Sequence, residues 1–217
     1  LLAIGWTLNY EILFYMVFAA AMLINHRYRV LISFIQISLL VLAGGFFAYA
    51  GNPWFDFYTN TLMLEFIFGM LVAYVAPRLK MPAWLIAVLF SAASIWFIWA
   101  IQQPVGRLDP TRWFMFGMPS AAIVLLVVAA DLQGQVKTVP WLVALGNASY
   151  SLYLVHLFAL GAIRAAWPLL PDSFHRSDFP LLVLAFATSI AASLLFHYWL
   201  EKPMVKVVRG QIARFGK

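Results

Sequence analysis

Long uncharged runs alternate along the chain with short polar breaks. Runs of 26, 26, 18, 26 and 22 residues without a formal charge occupy 30–55, 81–106, 113–130, 138–163 and 179–200. A helix needs about 20 mostly apolar residues to cross the hydrocarbon of a bilayer, so each run predicts a span. Two further apolar stretches, about 5–25 and 58–77, each carry one acid, Glu11 and Glu65. The pattern predicts an all-α integral membrane protein, a polytopic bundle of about seven transmembrane helices. The runs are too long for barrel strands and lack their alternation.

The breaks read as turns. Asn25-His26-Arg27-Tyr28-Arg29 separates the first two spans, Gly51-Asn52-Pro53 opens the next connection, and Pro77 to Pro82 brackets a short basic one. Proline and glycine at such places stop and restart helices. Longer loops are expected at about 102–111, 131–140 and 165–178, with no internal repeat and no low-complexity stretch. Residues 1–202 form the transmembrane domain in this reading, and 203–217 a basic cytoplasmic tail. The tail alternates basic and apolar residues, so it is either an interfacial helix or a solvated flank.

Composition narrows the class. The chain has 217 residues, 65% apolar and only 10% charged, whereas soluble domains are about 25% charged. A soluble enzyme is excluded, and the lipid bilayer is the first partner. The net charge of +6 sits in the breaks, where it orients helices, so nucleic acid is not expected. Counting along seven spans, Arg27, Arg29, Arg78, Lys80, Lys137, Lys202, Lys206, Arg209, Arg214 and Lys217 fall on one side. Arg107, Arg112, Arg164 and Arg176 fall on the other. This bias predicts an inner-membrane protein of a bacterium with a cytoplasmic C-terminus and Leu1 outside. The first residues show no basic n-region and no cleavage-type site, so no signal peptide is read in them, and an odd number of spans upstream is expected. With no cysteine, thiolate chemistry is absent.

Polar groups inside a bilayer are costly and mark function by default. On a 3.6-residue period Glu11 shares a face with Thr7, Tyr15 and Phe18, Glu65 with Thr61 and Gly69, and His156 with Ser149, Tyr153 and Leu160. Measured from the predicted helix ends, Glu11, Glu65 and His156 fall at nearly one depth, in the outer third. A carboxyl and an imidazole in a cavity open to the outside suit general acid–base work. Plainer readings are a glutamate bonded to a neighbouring helix, a packed histidine, and Asn147 and Ser149 as helix-packing groups. Trp54, Tyr58, Trp113 and Trp167 read as interfacial belt. His26, His175 and His197 are read as lacking a ligand partner at i+3 or i+4, so no metal site is expected.

Four segments resemble a known family. Trp6-Thr7-Leu8-Asn9-Tyr10-Glu11-Ile12-Leu13-Phe14-Tyr15 is similar to the W-S/T-L-x-x-E-x-x-F-Y signature of the membrane-bound acyltransferase 3 family. Leu64-Glu65-Phe66-Ile67-Phe68-Gly69 is similar to its E-x-x-x-G segment. Gly146-Asn147-Ala148-Ser149-Tyr150-Ser151-Leu152-Tyr153-Leu154-Val155-His156 is similar to its G-x-x-S-Y-S-L-Y-L-x-H helix, and Glu201-Lys202-Pro203 to its closing E-K/R-P. The Asn9-Tyr10-Glu11 form most resembles the exopolysaccharide and oligosaccharide O-acetyltransferase branch.

The resemblance implies a fold of about ten helices, of which these would be the last seven. It implies acyl transfer, mostly of acetyl from acetyl-CoA, to hydroxyls of envelope polysaccharides, lipopolysaccharide, signalling oligosaccharides or antibiotics. The acyl-CoA is a donor substrate, and no cofactor is bound permanently. The family's opening helices carry a basic residue ten positions before an essential histidine, and nothing in these 217 residues takes that place. By the same resemblance Glu11, Glu65 and His156 are the catalytic residues. Glu11 would assist the opening histidine, Glu65 would lend polar support, and His156 with Tyr153 would line the acceptor side beside Tyr15. Arg112 and Arg164 would contact an acidic polysaccharide or a carbonyl oxygen, unless they are interfacial anchors. Two other readings stay open: a proton-coupled sugar or lipid carrier, and a non-catalytic partner of polysaccharide export.

Overall fold

The structure is a computed structural model that describes residues 5–47, 52–106, 109–169 and 179–215, with side chains to 211. Leu1, Gly51, Arg107, His175, Arg176 and Lys217 lie outside the described residues, as does the side chain of Arg214. Ten α-helices are described: α1 Gly5–Ile24, α2 Arg29–Phe47, α3 Pro53–Tyr58, α4 Leu64–Val75, α5 Ala83–Ile101, α6 Met118–Leu132, α7 Pro140–Asn147, α8 Ser149–Ala166, α9 Phe179–Phe196 and α10 Lys202–Phe215. Seven helical stretches are long and apolar enough to cross a membrane. The chain divides into two compact units, 1–137 and 138–217.

In the first unit α1 and α2 pack on the interrupted third span. Tyr10, Ile37, Leu62, Met63 and Ile67 form the buried centre, with Trp6, Leu13, Phe14 and Val17 from α1 against it. The Tyr10 ring stacks on Phe57 at 4.5 Å and its hydroxyl donates to the Phe57 carbonyl at 2.6 Å. α5 and α6 meet at a second apolar cluster of Ile86, Leu126 and Ala130. Past α6, Gly134 turns the chain with φ +67. There Gln133 accepts from the Met81 N–H and Gln135 donates to the Met81 carbonyl, tying two connections together. Leu23, Phe46 and many other large apolar side chains stay exposed, as a surface facing lipid requires.

The third span is not the continuous helix that its hydropathy predicts. α3 stops at Tyr58 because the Thr59 hydroxyl turns back onto the Phe55 carbonyl at 2.7 Å. Asn60 then accepts from the Leu62 N–H at 3.0 Å, and a 3-10 turn at Thr61–Met63 leads into α4. A close approach of α2 fixes the break. A Cβ on Gly44 would lie 2.6 Å from the Thr59 hydroxyl oxygen and 2.7 Å from its carbonyl oxygen.

In the second unit the predicted span 138–163 splits at Ala148 into α7 and α8, and α8 runs on to Ala166. α8 packs on α9 through small polar residues, Ser151, Ser189 and Ser193, all buried, which lets membrane helices approach closely. The predicted tail begins inside a continuous helix, since a π turn at His197–Glu201 joins α9 to α10. A second π turn, Trp113–Gly117, opens α6. Each π turn ends two residues before a proline. The Met118 and Lys202 N–H groups reach back to the Trp113 and His197 carbonyls, and Pro119 and Pro203 follow. A proline in a helix lacks its own N–H and crowds the carbonyl four residues earlier, and the wider turn relieves both.

Candidate functional site

Glu65 lies in the first turn of α4. The turn before it is tied to the next connection, because the Thr61 hydroxyl donates to the Pro110 carbonyl at 3.2 Å. From Pro110 the chain enters α6 through Arg112, whose N–H bonds the Asp109 carbonyl at 3.1 Å. Asp109 is outside the spans. Its carboxyl is held below the usual carboxylate range by the Thr111 hydroxyl and then by the Thr111 N–H, at 2.6 and 2.8 Å.

This geometry places Glu65 and Arg112 on one cavity of about 490 Å³, with Phe68, Gly69, Phe97 and Ser120 among its walls. They do not form an ion pair, since His197–Glu201 is the one pair among the described residues. The guanidinium carbon sits 5.2 Å from the Phe116 ring centre, and its buried Nε–H has no hydrogen-bond partner. A donor left unmatched in a low-dielectric site is costly, and Arg112 as a residue lines the cavity with its positive charge. Gly117 permits the approach, for its Cβ would stand 3.2 Å from Glu65 Cγ and 3.3 Å from the Phe68 ring. Glu65 also borders a second cavity, with Phe14, Phe18 and Tyr74.

Glu11 is half-buried on the flank of α1, and Tyr15 one turn on is exposed. Neither lines the two cavities at Glu65.

In the second unit His156 stands near the middle of α8, and the outer-third position predicted for it is corrected. The sequence predicts a span over 138–163, whereas α8 starts after the break at Ala148 and ends at Ala166. The expected stripe does form a wall: Ser149, Tyr153, His156 and Leu160 line a cavity of about 490 Å³ with Ser189 and Phe186. His156 Nδ1 lies 2.7 Å from the Tyr153 carbonyl and 3.0 Å from that of Leu152. Carbonyls only accept, so Nδ1 carries the hydrogen and, in the neutral ring, Nε2 carries the lone pair. Arg164 is exposed in the last turn of α8 and does not line this cavity.

One cluster escaped the sequence reading. Ser151 Oγ donates to Glu201 Oε2, and the same oxygen accepts from His197 Nδ1 at 3.0 Å. His197 thus does have a partner at i+4. The signal was present, because Ser151 and Glu201 lie in two of the segments that carry the family resemblance. Among the described residues no three histidine or acidic side chains gather as a metal site would need.

Comparison with known proteins gives these sites a context. A family model described as an acyltransferase domain matches residues 2–198, a stretch that includes Glu11, Glu65, Arg112 and His156 and stops short of Glu201. The exopolysaccharide production protein ExoZ of Rhizobium meliloti (strain 1021) is 27% identical over 213 residues, which is 97% of this chain and 63% of ExoZ. No solved structure matches the chain. Its match across nearly all the membrane helices makes this chain a member of the acyltransferase 3 family.

Proposed function

We propose that this chain serves a membrane O-acyltransferase that moves an acyl group, acetyl in the first instance, from acyl-CoA to a hydroxyl of a cell-envelope polysaccharide or oligosaccharide. The observation that carries the reading is Arg112 and Glu65 standing unjoined across one membrane cavity in a chain of this family. Family membership supports the reaction class, and the printed name of ExoZ supports a polysaccharide acceptor.

In this reading the acceptor hydroxyl oxygen bonds to the acyl carbon and the carbon–sulfur bond breaks. The hydroxyl proton leaves to a base and ends on the departing thiolate. Negative charge gathers on the carbonyl oxygen as the new bond forms. The guanidinium of Arg112 suits that oxygen, and a fixed charged donor at the cavity stabilises the charge without reorganising. Glu65 orients the hydroxyl by accepting its hydrogen. His156 keeps Nε2 available for a sugar hydroxyl, with Tyr153 on the same wall. Glu11 assists the histidine that the family carries in its opening helices, and Tyr15 and Arg164 contact the acceptor. The bias of basic residues supports a bacterial inner-membrane location with a cytoplasmic C-terminus.

Proton NMR of surface polysaccharide from cells with and without the complete gene tests the reading. O-acyl signals should disappear on deletion and return on complementation. Glu11→Gln in the complete protein should abolish them while leaving membrane insertion intact. A proton-coupled carrier is the second reading, although the interruption at Thr59–Asn60 lies towards one end of the third span and not at its middle. Unchanged acylation together with lost substrate flux would select it.

A further inference from the structure

The cavity at Glu65 and Arg112 is not polar throughout. Its polar groups, Arg112, Glu65 and Ser120, lie near the starts of α4 and α6. Beyond them the walls are Phe68, Val72, Ala121 and Val124, with Phe97 from α5, while Phe116 stands at the polar end beside Arg112. Glu65 to Val72 and Gly117 to Val124 each climb about 10 Å at 1.5 Å per residue. The void is therefore a slot about two helical turns long, polar at one end and apolar along the rest. Gly69 lies midway, and a Cβ added there would meet nothing within 4 Å, so the slot is open beside it.

We infer that this slot holds the acyl chain of the transferred group, with its carbonyl oxygen at the Arg112 guanidinium and its methylenes between α4 and α6. The inference rests on the acyltransferase reading and names the part of the substrate that this cavity takes. The pantetheine arm of coenzyme A is the wrong occupant, since its amides would lose their water among these walls without replacement partners. A hydrocarbon chain loses nothing there. The slot is longer than an acetyl group needs, so chains of several methylenes fit, and Gly69 decides how many.

The test uses membranes carrying the protein expressed from its complete gene, supplied with acetyl-, butyryl- or hexanoyl-CoA. Ester on the polysaccharide is read by mass spectrometry. The unsubstituted protein should transfer all three. Gly69→Leu should lower the ratio of hexanoyl to acetyl transfer at least tenfold, and Gly69→Ala by less. Gly45→Leu, placed where a Cβ also meets nothing within 4 Å but away from the slot, should leave the ratio unchanged. Transfer of acetyl alone, or a ratio that Gly69→Leu leaves unmoved, overturns the slot and keeps the acyltransferase. Absence of transfer from every donor overturns both. Far-ultraviolet circular dichroism of each variant confirms that the helices remain.

Discussion

Ser151 and Glu201 stand 50 positions apart in the chain and share a hydrogen bond at which the start of α8 meets the foot of α9. The same carboxylate oxygen accepts His197 Nδ1, while Ser151 is fully buried. Glu201→Ala strips the partner from a buried hydroxyl, which costs about 1–3 kcal/mol. Ser151→Ala leaves Glu201 with His197 and should cost about 1 kcal/mol. Thermal unfolding of the detergent-solubilised protein, followed by tryptophan fluorescence, should rank Glu201→Ala below Ser151→Ala.

Two adjacent glycines of α2 should behave oppositely. Gly44→Ala drives a methyl group into Thr59, side chain and backbone together, and should destabilise by about 1–3 kcal/mol through overpacking. Gly45→Ala meets open space and should stabilise by up to about 1 kcal/mol through helix propensity. Equal effects of the two on the unfolding midpoint would contradict the close contact between α2 and the broken third span.

The hydrogen bonds of His156 determine its tautomer. Nitrogen-15 NMR of histidine-labelled protein should show His156 protonated on Nδ1 and bare on Nε2 at neutral pH. His156→Asn keeps a donor near the Nδ1 position and loses Nε2. If Nε2 takes a proton during transfer, that variant should lose about 100-fold or more in acyl transfer, with membrane insertion unchanged.

The turn before Arg112 gives a pH prediction. Thr111 donates twice to Asp109 and holds its folded-state pKa down. The stability linked to Asp109 is therefore present above the ordinary carboxylate pKa and lost as pH falls through the lower folded value. Thr111→Val removes the hydroxyl donor and keeps the N–H, so the Asp109 midpoint should rise part of the way back. Carbon-13 carboxylate titration measures it, and an unmoved midpoint would mean that the hydroxyl contributes nothing.

Legibility in the sequence followed the reach of each physical signal. The stripe of Ser149, Tyr153, His156 and Leu160 was readable because helical period alone puts those residues on one wall. Glu65 and Gly69 were readable together for the same reason. The break at Thr59–Asn60 was not, since it depends on α2 bringing Gly44 against Thr59. The π turns left a trace, a proline inside an apolar run at Pro119 and just beyond one at Pro203, but a proline does not say how the helix will yield.

The sequence by itself determined that the protein lives in a membrane, that about seven helices span it, and which family it joins. Those follow from the cost of placing each residue in hydrocarbon and from short motifs, both local quantities. Only the tertiary structure decided that Arg112 shares a cavity with Glu65 and that Ser151 finds Glu201 and His197. Each outcome depends on helices far apart in the chain meeting at a particular register. Hydropathy is indifferent to register, because lipid solvates every apolar face alike. Close approach at small residues and the pairing of buried polar groups set it instead.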